Sequence, residues 1–349
     1  MTPEILFIVA AGSGGHILPA VTLGQTWQQK QSQRSVMLFT NTSKLEQQIV
    51  TRLPESITPV FTPLAKISAR RWYMAALFIP QALYLIIRSL YASLLYKPER
   101  VISTGGLYAI PVCLGAWLAR RPIELYELNV VPGKAVQFLK LFASKVFCVF
   151  EETKRHIPEA EYVEYPIRPN VQKNTLSQAA LIESINQQHG QNKNWVPFNH
   201  HRKTIFILGG SQGSLLLNKL IKGFLLAHPS IKAQIQLIHQ TGAFEEASWE
   251  DFYRSHKIAA LSFSYDPLIT QYYQVADLII CRAGAGTLFE IAYFQRPCIV
   301  VPLIAKSTSH QKQNAQAMAK KHPDLFTVIS QDELLHSPEK LFEQIKAIL

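Results

Sequence analysis

The chain has 349 residues, of which 48% are hydrophobic and 17% charged, and its formal net charge is +11. This composition excludes a disordered, collagen-like or low-complexity chain, and the length is typical of two domains. The positive charge favours an anionic partner, but the sequence has no arginine–aromatic ladder, so we expect no nucleic acid. Four cysteines lie far apart in apolar runs and predict buried thiols in a reducing cytoplasm: Cys113, Cys148, Cys281 and Cys298.

Short apolar runs alternate with helical patterns along nearly the whole chain. The runs are continuously apolar, which is typical of strands covered on both faces in a doubly wound α/β sheet. Predicted strands are Ile5–Ala10, Val36–Thr40, Val101–Ser103, Ile123–Tyr126, Val146–Val149, Thr204–Leu208, Gln234–His239, Leu278–Cys281 and Cys298–Val301. Predicted helices include Ile17–Lys30, Leu215–Leu226, Thr287–Phe294 and Ser309–Lys320.

One pattern occurs twice, in Phe7–Gly15 and again in Phe206–Gly213: a strand, a glycine–serine loop and a helix. Each copy marks the first strand–helix turn of a Rossmann-like unit, where ligands bind at the carboxyl ends of the strands. The repeat therefore predicts two Rossmann-like domains, residues 1–166 and 167–349, facing an inter-domain cleft. We place the hinge near Tyr165–Pro169 and interpret Asn186–Arg202 as a surface loop.

The first loop does not fit a dinucleotide enzyme. Ile17 stands where the NAD fingerprint needs its third glycine, and no acidic residue for the ribose follows the second strand. The loop still directs backbone N–H groups at a helix N-terminus, which favours an anion. His16 lies at its mouth and is a candidate functional histidine.

The second loop contains G-x-S-x-G, the nucleophile-elbow pattern of α/β-hydrolases. A serine hydrolase with Ser211 as nucleophile, Asp277 as orienting acid and His310 as base is therefore an alternative. It would leave the N-terminal Rossmann-like half without a role. The other interpretation is that Ser211 and the loop amides bind a diphosphate.

The segment Cys281–Glu290 is the most informative. A strand ends in a loop of small residues, a helix begins at Thr287, and Glu290 follows within one turn. A carboxylate there suits a ribose diol, or it stabilises the first helical turn. Arg282 is either structural or a phosphate ligand.

Together these segments resemble the MurG family, membrane-associated bacterial transferases that move N-acetylglucosamine from UDP-GlcNAc onto undecaprenyl-diphosphate-MurNAc-pentapeptide (lipid I) to give lipid II. The resemblance extends from the first loop to about Ala319. It rests on Gly12–His16, Gly105-Gly106 with Pro111, Glu127 with Asn129, Pro166 with Arg168, Gly209–Gly213 with Asn218, His239-Gln240 with Gly242, Ala276-Asp277, Cys281–Glu290, and Gln311 with Asn314.

The resemblance implies a GT-B fold, an inverting transfer of GlcNAc for peptidoglycan synthesis, and no cofactor. It implies His16 as the candidate general base. The implied donor-binding residues are Ser13, Gly14, Gly15, Asn129, Arg168, Ser211, Ala285, Gly286, Thr287, Leu288, Phe289, Glu290 and Gln311. Supporting roles go to Gln212, Asn218, Arg282, Asn314, Glu127 and Tyr108. The sequence has no D-x-D metal motif, so we expect no metal in the active site.

Several positions depart from the family pattern. They are Tyr126, Leu128, Ala135 and Val136 in the acceptor region, and Ser264 where a larger apolar residue usually covers the uracil. These departures keep open a GT-B transferase with another lipid acceptor, such as diacylglycerol.

The stretch Met74–Tyr96 is the most apolar in the chain and lies in its most basic region. Its charge-free run, from Trp72 to Ile87, is 16 residues, short of the ~20 needed to span a bilayer. Helical spacing places Leu83, Ile86, Ile87, Leu90 and Leu94 on one face, and Gln81, Tyr84, Arg88 and Tyr91 on the other.

A basic and aromatic cluster precedes this stretch, and its predicted membrane contacts are Lys66, Arg70, Arg71, Trp72 and Tyr73. Such a cluster is typical of a headgroup-level anchor, whereas a buried core helix would not need it. We therefore expect a peripheral enzyme on an anionic membrane surface, at the cytoplasmic face of the bacterial inner membrane.

Overall fold

A computed structural model describes residues 4–31, 33–51, 53–64, 74–191, 195–210, 213–242, 246–264, 266, 269–304 and 310–348. Seven residues predicted to be functional lie outside these ranges: Lys66, Arg70, Arg71, Trp72, Tyr73, Ser211 and Gln212. The chain divides into two compact units, Met1–Arg168 and Pro169–Leu349.

The N-terminal unit is built on a parallel sheet. Its strands are β1 (Ile5–Val9), β2 (Ser35–Thr40), β3 (Ile57–Phe61), β4 (Arg100–Ser103), β5 (Ile123–Glu127), β6 (Lys145–Cys148) and β7 (Glu161–Tyr162). They are ordered β3-β2-β1-β4-β5-β6-β7. Its helices are α1 (Gly14–Gln28), α2 (Lys44–Val50), α3 (Met74–Tyr96), α4 (Ala109–Leu118) and α5 (Lys134–Leu139), followed by a 3-10 helix, Glu151–Arg155.

The central strand β1 is buried on both faces. Leu6 and Ile8 pack in one hydrophobic cluster with Ile17 of α1, whereas Phe7 and Val9 pack on the other face in a second cluster that includes residues of α3 and α4. Because side chains alternate along a strand, a strand covered on both sides must be apolar throughout. The continuous run Ile5–Val9 meets this requirement.

The C-terminal unit repeats the plan. Its strands are β8 (Lys203–Leu208), β9 (Ile235–Gln240), β10 (Ala260–Phe263), β11 (Leu278–Cys281), β12 (Cys298–Val300) and β13 (Phe326–Val328), ordered β10-β9-β8-β11-β12-β13 in parallel. Its helices are α6 (Gln178–His189), α7 (Leu215–Ala227), α8 (Glu246–Ser255), α9 (Ile269–Val275), α10 (Ala285–Phe294), α11 (His310–Lys321), α12 (Gln331–His336) and α13 (Glu339–Lys346), with a 3-10 helix at Pro229–Ala233.

The strand order of each sheet reverses at one point. In the N-terminal unit this point lies between β1 and β4, and in the C-terminal unit between β8 and β11. Ligands of doubly wound sheets bind at such points, beyond the carboxyl ends of the strands. Both glycine loops therefore begin where this fold binds ligands.

The structure corrects two sequence predictions. Strands β3, β7, β10 and β13 were not predicted, because they are short or contain polar residues. The stretch Asn186–Arg202 is not only a loop, since its first residues complete α6. Asn186 also pairs reciprocally with the backbone of Phe198, at 2.9 and 2.7 Å.

Candidate functional site

The N-terminal glycine loop follows β1 and opens α1. Gly12 has a φ of +95°, in the left-handed region that favours glycine. Ser13 is the N-cap of α1, and its side chain makes no capping hydrogen bond. Gly14 and Gly15 form the first turn, whose N–H groups have no partner within the helix. The Gly12 N–H donates to Oε1 of the buried Glu46 at 2.8 Å.

His16 is fixed by a reciprocal pair of hydrogen bonds with Thr104. Nδ1 of His16 lies 2.8 Å from the carbonyl oxygen of Thr104, and the Thr104 hydroxyl donates to the carbonyl of His16 at 2.9 Å. A carbonyl only accepts, so Nδ1 carries the proton and Nε2 of the neutral ring has the lone pair. Tyr108, the N-cap of α4, is buried, and burial raises its pKa to about 12.

Glu127 organises the loop after β5. Its Oε1 accepts from the backbone and side-chain nitrogens of Asn129 at 2.9 and 3.2 Å, and its Oε2 accepts from the Gly133 N–H at 2.9 Å. Burial raises its pKa to about 7, against the opposing effect of these donors. Oε1 therefore positions Asn129, while Oε2 fixes the later part of the loop at Gly133. Arg168, another predicted donor ligand, is the last residue of the N-terminal unit.

The positions that depart from the family pattern are mostly packing residues. Leu128, Ala135 and Val136 are buried, so they offer no polar group to an acceptor. The Tyr126 ring packs against the Phe147 ring of the neighbouring strand β6, with 4.7 Å between the two ring centroids. The Ser264 carbonyl accepts a hydrogen bond from a side-chain amide of β9 at 3.3 Å.

The C-terminal glycine loop lies against the neighbouring strand end. A Cβ on Gly213 would lie 2.3 Å from the carbonyl oxygen of Thr241, and one on Gly209 would lie 2.8 Å from that of Gln240. The Gly210 N–H donates to Oε1 of Gln240 at 3.1 Å. Glycine is required here because two backbones are in direct contact.

A buried polar network supports this contact. Asn218 donates from Nδ2 to the Thr241 carbonyl at 3.1 Å, so its Oδ1 must accept from Nε2 of His239, also at 3.1 Å. Nδ1 of His239 then accepts from the Tyr253 hydroxyl at 2.7 Å. Complete burial lowers the pKa of His239 to about 3, and the ring is neutral.

A cavity of about 510 Å³ opens beside this loop. Arg282 is its one charged lining residue among those described. Its Nε donates to the Ser214 hydroxyl at 2.9 Å, and its Nη1 donates to the Val301 carbonyl at 3.1 Å and to Oε1 of Gln331 at 3.2 Å. Burial lowers its pKa to about 10, so it remains a cation at neutral pH. The cavity is lined by Leu208, Gly209, Gly210, Gly213, Ser214, Leu215, Leu216, Arg282, Gly284, Thr287, Leu303, Gln311 and Gln331.

Helix α10 carries most of the predicted nucleotide ligands. Gly286 and Thr287 are half-buried, whereas Ala285, Leu288, Phe289 and Glu290 are buried. Glu290 is 8% exposed and does not line the cavity; its Oε2 accepts from the Tyr273 hydroxyl at 2.9 Å. Its role on the ribose stays a prediction, and the structure adds Tyr273 as a partner of one carboxylate oxygen.

Two side chains of α11 fix neighbouring loops. Oε1 of Gln311 accepts from the Leu303 N–H at 2.9 Å, while Nδ2 of the fully buried Asn314 donates to the Ala283 carbonyl at 3.5 Å. Asn314 thus supports the loop before α10, and Gln311 supports the loop after β12 and lines the cavity.

The hydrolase alternative is wrong. Asp277 lies at the start of β11, where its Oδ2 accepts from the Thr204 N–H at 2.8 Å at the start of β8. The glycine loop with Ser211 follows the opposite end of β8, about 16 Å away at ~3.3 Å per residue. Asp277 therefore cannot orient a base for Ser211, whichever way His310 points.

Helix α3 packs by its small residues and exposes its large ones. Leu85, Ser89 and Ser93 are buried, and a Cβ on Gly115 of α4 would lie 2.3 Å from the carbonyl oxygen of Ile86. The exposed side of the helix takes residues from both predicted faces: Leu83, Ile87 and Leu94 from the apolar one, with Ile86 and Leu90 half-buried, and Tyr84 and Tyr91 from the other. Large exposed side chains on α3 are Ile79, Leu83, Tyr84, Ile87, Tyr91, Leu94 and Leu95.

Within the described part of the chain, Phe78–Tyr96 is the one helix long and apolar enough to cross a membrane by length and composition, with a mean hydropathy of 1.4. This helix includes Arg88, at which the charge-free run counted from the sequence ends. Among the same residues, no group of three or more His, Cys, Asp or Glu side chains is placed to bind a metal ion.

Three residues of these sites were not predicted: Glu46, Gln240 and Gln331. Each acts on a segment at least 30 residues away in the sequence. Glu46 and Gln331 gave no local signal; Gln240 was noted only as part of the family pattern.

Residues 6–148 match the glycosyltransferase family 28 N-terminal domain, and residues 204–349 match the family 28 C-terminal domain. A UDP-N-acetylglucosamine–N-acetylmuramyl-(pentapeptide) pyrophosphoryl-undecaprenol N-acetylglucosamine transferase from Bdellovibrio bacteriovorus is 27% identical, over 98% of this chain and 89% of its own length. The protein of the same name from Colwellia psychrerythraea is 29% identical, over 95% and 81%.

Solved structures agree with the fold. MurG from Acinetobacter baumannii is similar with a TM-score of 0.70 and 21% identity, over 99% of this chain and 91% of that chain. The calicheamicin glycosyltransferase CalG4 has a TM-score of 0.64 and 10% identity, over 100% and 90%. The predicted GT-B type, with two Rossmann-like doubly wound domains, is confirmed.

Proposed function

Because the chain belongs to glycosyltransferase family 28, we propose that it transfers N-acetylglucosamine from UDP-GlcNAc to lipid I, giving lipid II for peptidoglycan synthesis. The names of the relatives support this reaction, and both family domains are present. One structural observation carries the donor assignment: Arg282 is a cation in a glycine-rich cavity, and no carboxylate is among its hydrogen-bond partners in the described chain.

The C-terminal unit binds the donor in this proposal. The cavity offers the Arg282 guanidinium, the backbone of the C-terminal glycine loop, and the N-termini of α7 and α10. These groups are all hydrogen-bond donors or positive dipole ends, so they favour a diphosphate. They would also stabilise the charge on departing UDP, which is the main electrostatic demand of this reaction.

We assign the remaining donor contacts as the family resemblance implies. Glu290 would bind the ribose with the oxygen that does not accept from Tyr273, and Gln311 would read the sugar hydroxyls from the cavity wall. The further donor contacts are Ser13, Gly14, Gly15, Asn129, Arg168, Ser211, and Ala285–Phe289.

In the proposed mechanism His16 is the general base. The acceptor hydroxyl of MurNAc attacks the anomeric carbon of GlcNAc, the bond to the UDP oxygen breaks, and the configuration inverts. The hydroxyl proton passes to Nε2 of His16, because Nδ1 already carries one. The Thr104 carbonyl, which accepts from Nδ1, then stabilises the imidazolium.

The transfer is tested with purified protein, radiolabelled UDP-GlcNAc and lipid I, with diacylglycerol as the alternative acceptor. We expect label in a lipid product only with lipid I. Label in diacylglycerol, or in neither lipid, would contradict the proposal.

We also propose that the N-terminal unit docks peripherally on an anionic membrane surface, at the cytoplasmic face of the inner membrane. The exposed apolar face of α3 supports this, because a helix that buries serines and exposes Ile, Leu and Tyr is matched to an apolar surrounding. Helix α4 covers its other face, so lipid cannot surround α3. Trp117, Phe138 and Leu141 are exposed as well, and the rings of Trp117 and Phe138 both pack against Phe142.

Docking is tested by binding to vesicles with anionic lipid. A Leu or Ile side chain that becomes half-buried in the membrane contributes about 1 kcal/mol to the free energy of binding. The double variant L83Q with I87Q should therefore weaken binding roughly 10- to 30-fold. A matched control is L335Q, since Leu335 and Ile87 are equally exposed, at 57%, and Leu335 lies in the other unit. Equal losses for both would refute the surface.

Replacing Lys66, Arg70 and Arg71 together with Gln should cost about 3 kcal/mol of binding, over a hundredfold. Salt at 1 M should have the same effect, because the Debye length falls to ~3 Å. Binding that resists both changes would indicate insertion instead of docking.

A further inference from the structure

A buried carboxylate lies behind the N-terminal glycine loop. Glu46, in α2, is 1% exposed, and its Oε1 accepts the Gly12 N–H at 2.8 Å. Gly12 has a positive φ, and no atom lies within 4 Å of the position that a Cβ would take, so no side-chain packing on that side holds it. The bond to Glu46 therefore sets the direction in which the chain enters the loop.

The surroundings of Glu46 are polar where an ordinary core would be apolar. Its Oε2 and the hydroxyls of Thr40, Thr62 and Tyr108 are all buried, and neither Oε2 nor the Thr40 hydroxyl has a hydrogen-bond partner among the described residues. Thr40 ends β2, and Thr62 follows β3, with its N–H donating to the Thr40 carbonyl at 3.1 Å. The Thr62 side chain lies beside the Tyr108 hydroxyl, and Glu46 and Arg88 both act electrostatically on that hydroxyl. Buried polar groups that lack hydrogen-bond partners destabilise the folded state, so their presence in this core calls for a functional explanation.

The loop connects Gly12 to His16, so the position that Glu46 sets for Gly12 also affects His16. The Ser13 carbonyl accepts from the N–H groups of His16 and Ile17 at 3.1 and 3.2 Å, so the peptide that follows Gly12 also begins α1. The Thr104 pair then fixes the His16 ring from the opposite side. A change in the Gly12 peptide would therefore move the residue that accepts the proton.

We propose that Glu46 is a positioning residue for the transfer reaction, which acts through the Gly12 amide to fix the loop Ser13–His16. This rests on the proposed function, in which His16 is the base. Because Glu46 is buried, it would act on the reaction through this loop and not by touching a substrate.

Three variants separate positioning from simple stability. E46Q keeps an oxygen for the Gly12 N–H, E46D keeps the charge but is one methylene too short to reach it, and E46A removes both. The matched control is E55A, because Glu55 is an exposed carboxylate of the same unit. We expect kcat to fall about 10- to 100-fold in E46A and E46D, the range of a lost hydrogen bond to a charged group. The kcat of E46Q should remain within about fivefold of the wild-type value, and the kcat of E55A should equal the wild-type value.

Hydrogen–deuterium exchange of the peptide covering residues 5–17 reports on the hydrogen bond between Gly12 and Glu46 and needs no substrate. Exchange should accelerate in E46A and E46D, remain slow in E46Q and E55A, and be measured well below the midpoint of thermal unfolding. This arm stands even if wild-type protein transfers no sugar, so failure of the proposed function is recognised separately. Unchanged exchange in E46A, or equal losses of kcat in E46Q and E46A, would overturn the proposal. If E46A does not fold, E46D and E46Q decide the question alone.

Discussion

Replacing Glu290 should have two separable effects, one on stability and one on nucleotide binding. Its Oε2 accepts from the Tyr273 hydroxyl at 2.9 Å, and Tyr273 is 1% exposed. E290A removes this acceptor from the buried hydroxyl, which costs about 1–3 kcal/mol. For a unit of this size each kcal/mol lowers the midpoint of unfolding by roughly 2–4 °C.

The same variant loses the proposed contact with the ribose. A hydrogen bond to a charged group contributes about 1.5–3 kcal/mol, so UDP affinity should fall roughly 10- to 150-fold. E290Q keeps an oxygen for Tyr273 and loses only the charge, so it should be nearly as stable as the wild type yet still bind UDP weakly. Y273F is the converse, with normal UDP affinity and a loss of about 1 kcal/mol in stability.

Isothermal titration calorimetry with UDP and thermal unfolding measure the two effects on the same samples. If E290Q binds UDP as tightly as the wild type, Glu290 is only a partner of Tyr273. If E290A unfolds at the wild-type temperature, the inference drawn from the 2.9 Å contact is refuted.

Three further predictions follow from other groups. H16A should lower kcat by about 10²–10⁴ while UDP affinity is unchanged, and a smaller loss would place the base elsewhere. R282Q should weaken UDP roughly 10- to 150-fold and uridine less than twofold; equal losses, measured by calorimetry, would show that Arg282 does not contact phosphate. His239 has a folded pKa of about 3, below its usual 6.5, so only the unfolded chain binds its proton between these values. Stability should therefore fall as the pH drops below 6.5, by up to about 1.4 kcal/mol per pH unit, and urea midpoints of H239N should lose this component.

The two glycine loops and their strands could be predicted because each depends on a short, continuous piece of sequence. A run such as Ile5–Val9 followed by glycine has few other structures available to it. Strand β3, with the sequence ITPVF, was missed because Pro59 and its polar neighbours weaken the pattern. Its position at the sheet edge is what tolerates the proline.

The faces of α3 could not be predicted from periodicity. Helical spacing placed Leu83 and Ile87 on one face and Tyr84 and Tyr91 on the other, yet all four side chains are exposed. The absence of a side chain at Gly115 lets α4 approach the α3 backbone, and only small residues such as Ser89 fit there. The deciding residue lies on another helix, outside any local window.

The length of helix α4 also sets a distance within the N-terminal unit. Its first turn follows Tyr108 beside the glycine pair, where a Cβ on Gly105 would lie 3.8 Å from the His16 ring, and its last turn carries the exposed Trp117. Ten residues at ~1.5 Å each make this helix about 15 Å long. The exposed Trp117 end of α4 is therefore about one helix length from the His16 ring, too far for a group bound there to touch it. A substitution at Trp117 therefore tests the proposed docking without direct contact with the loop that carries His16.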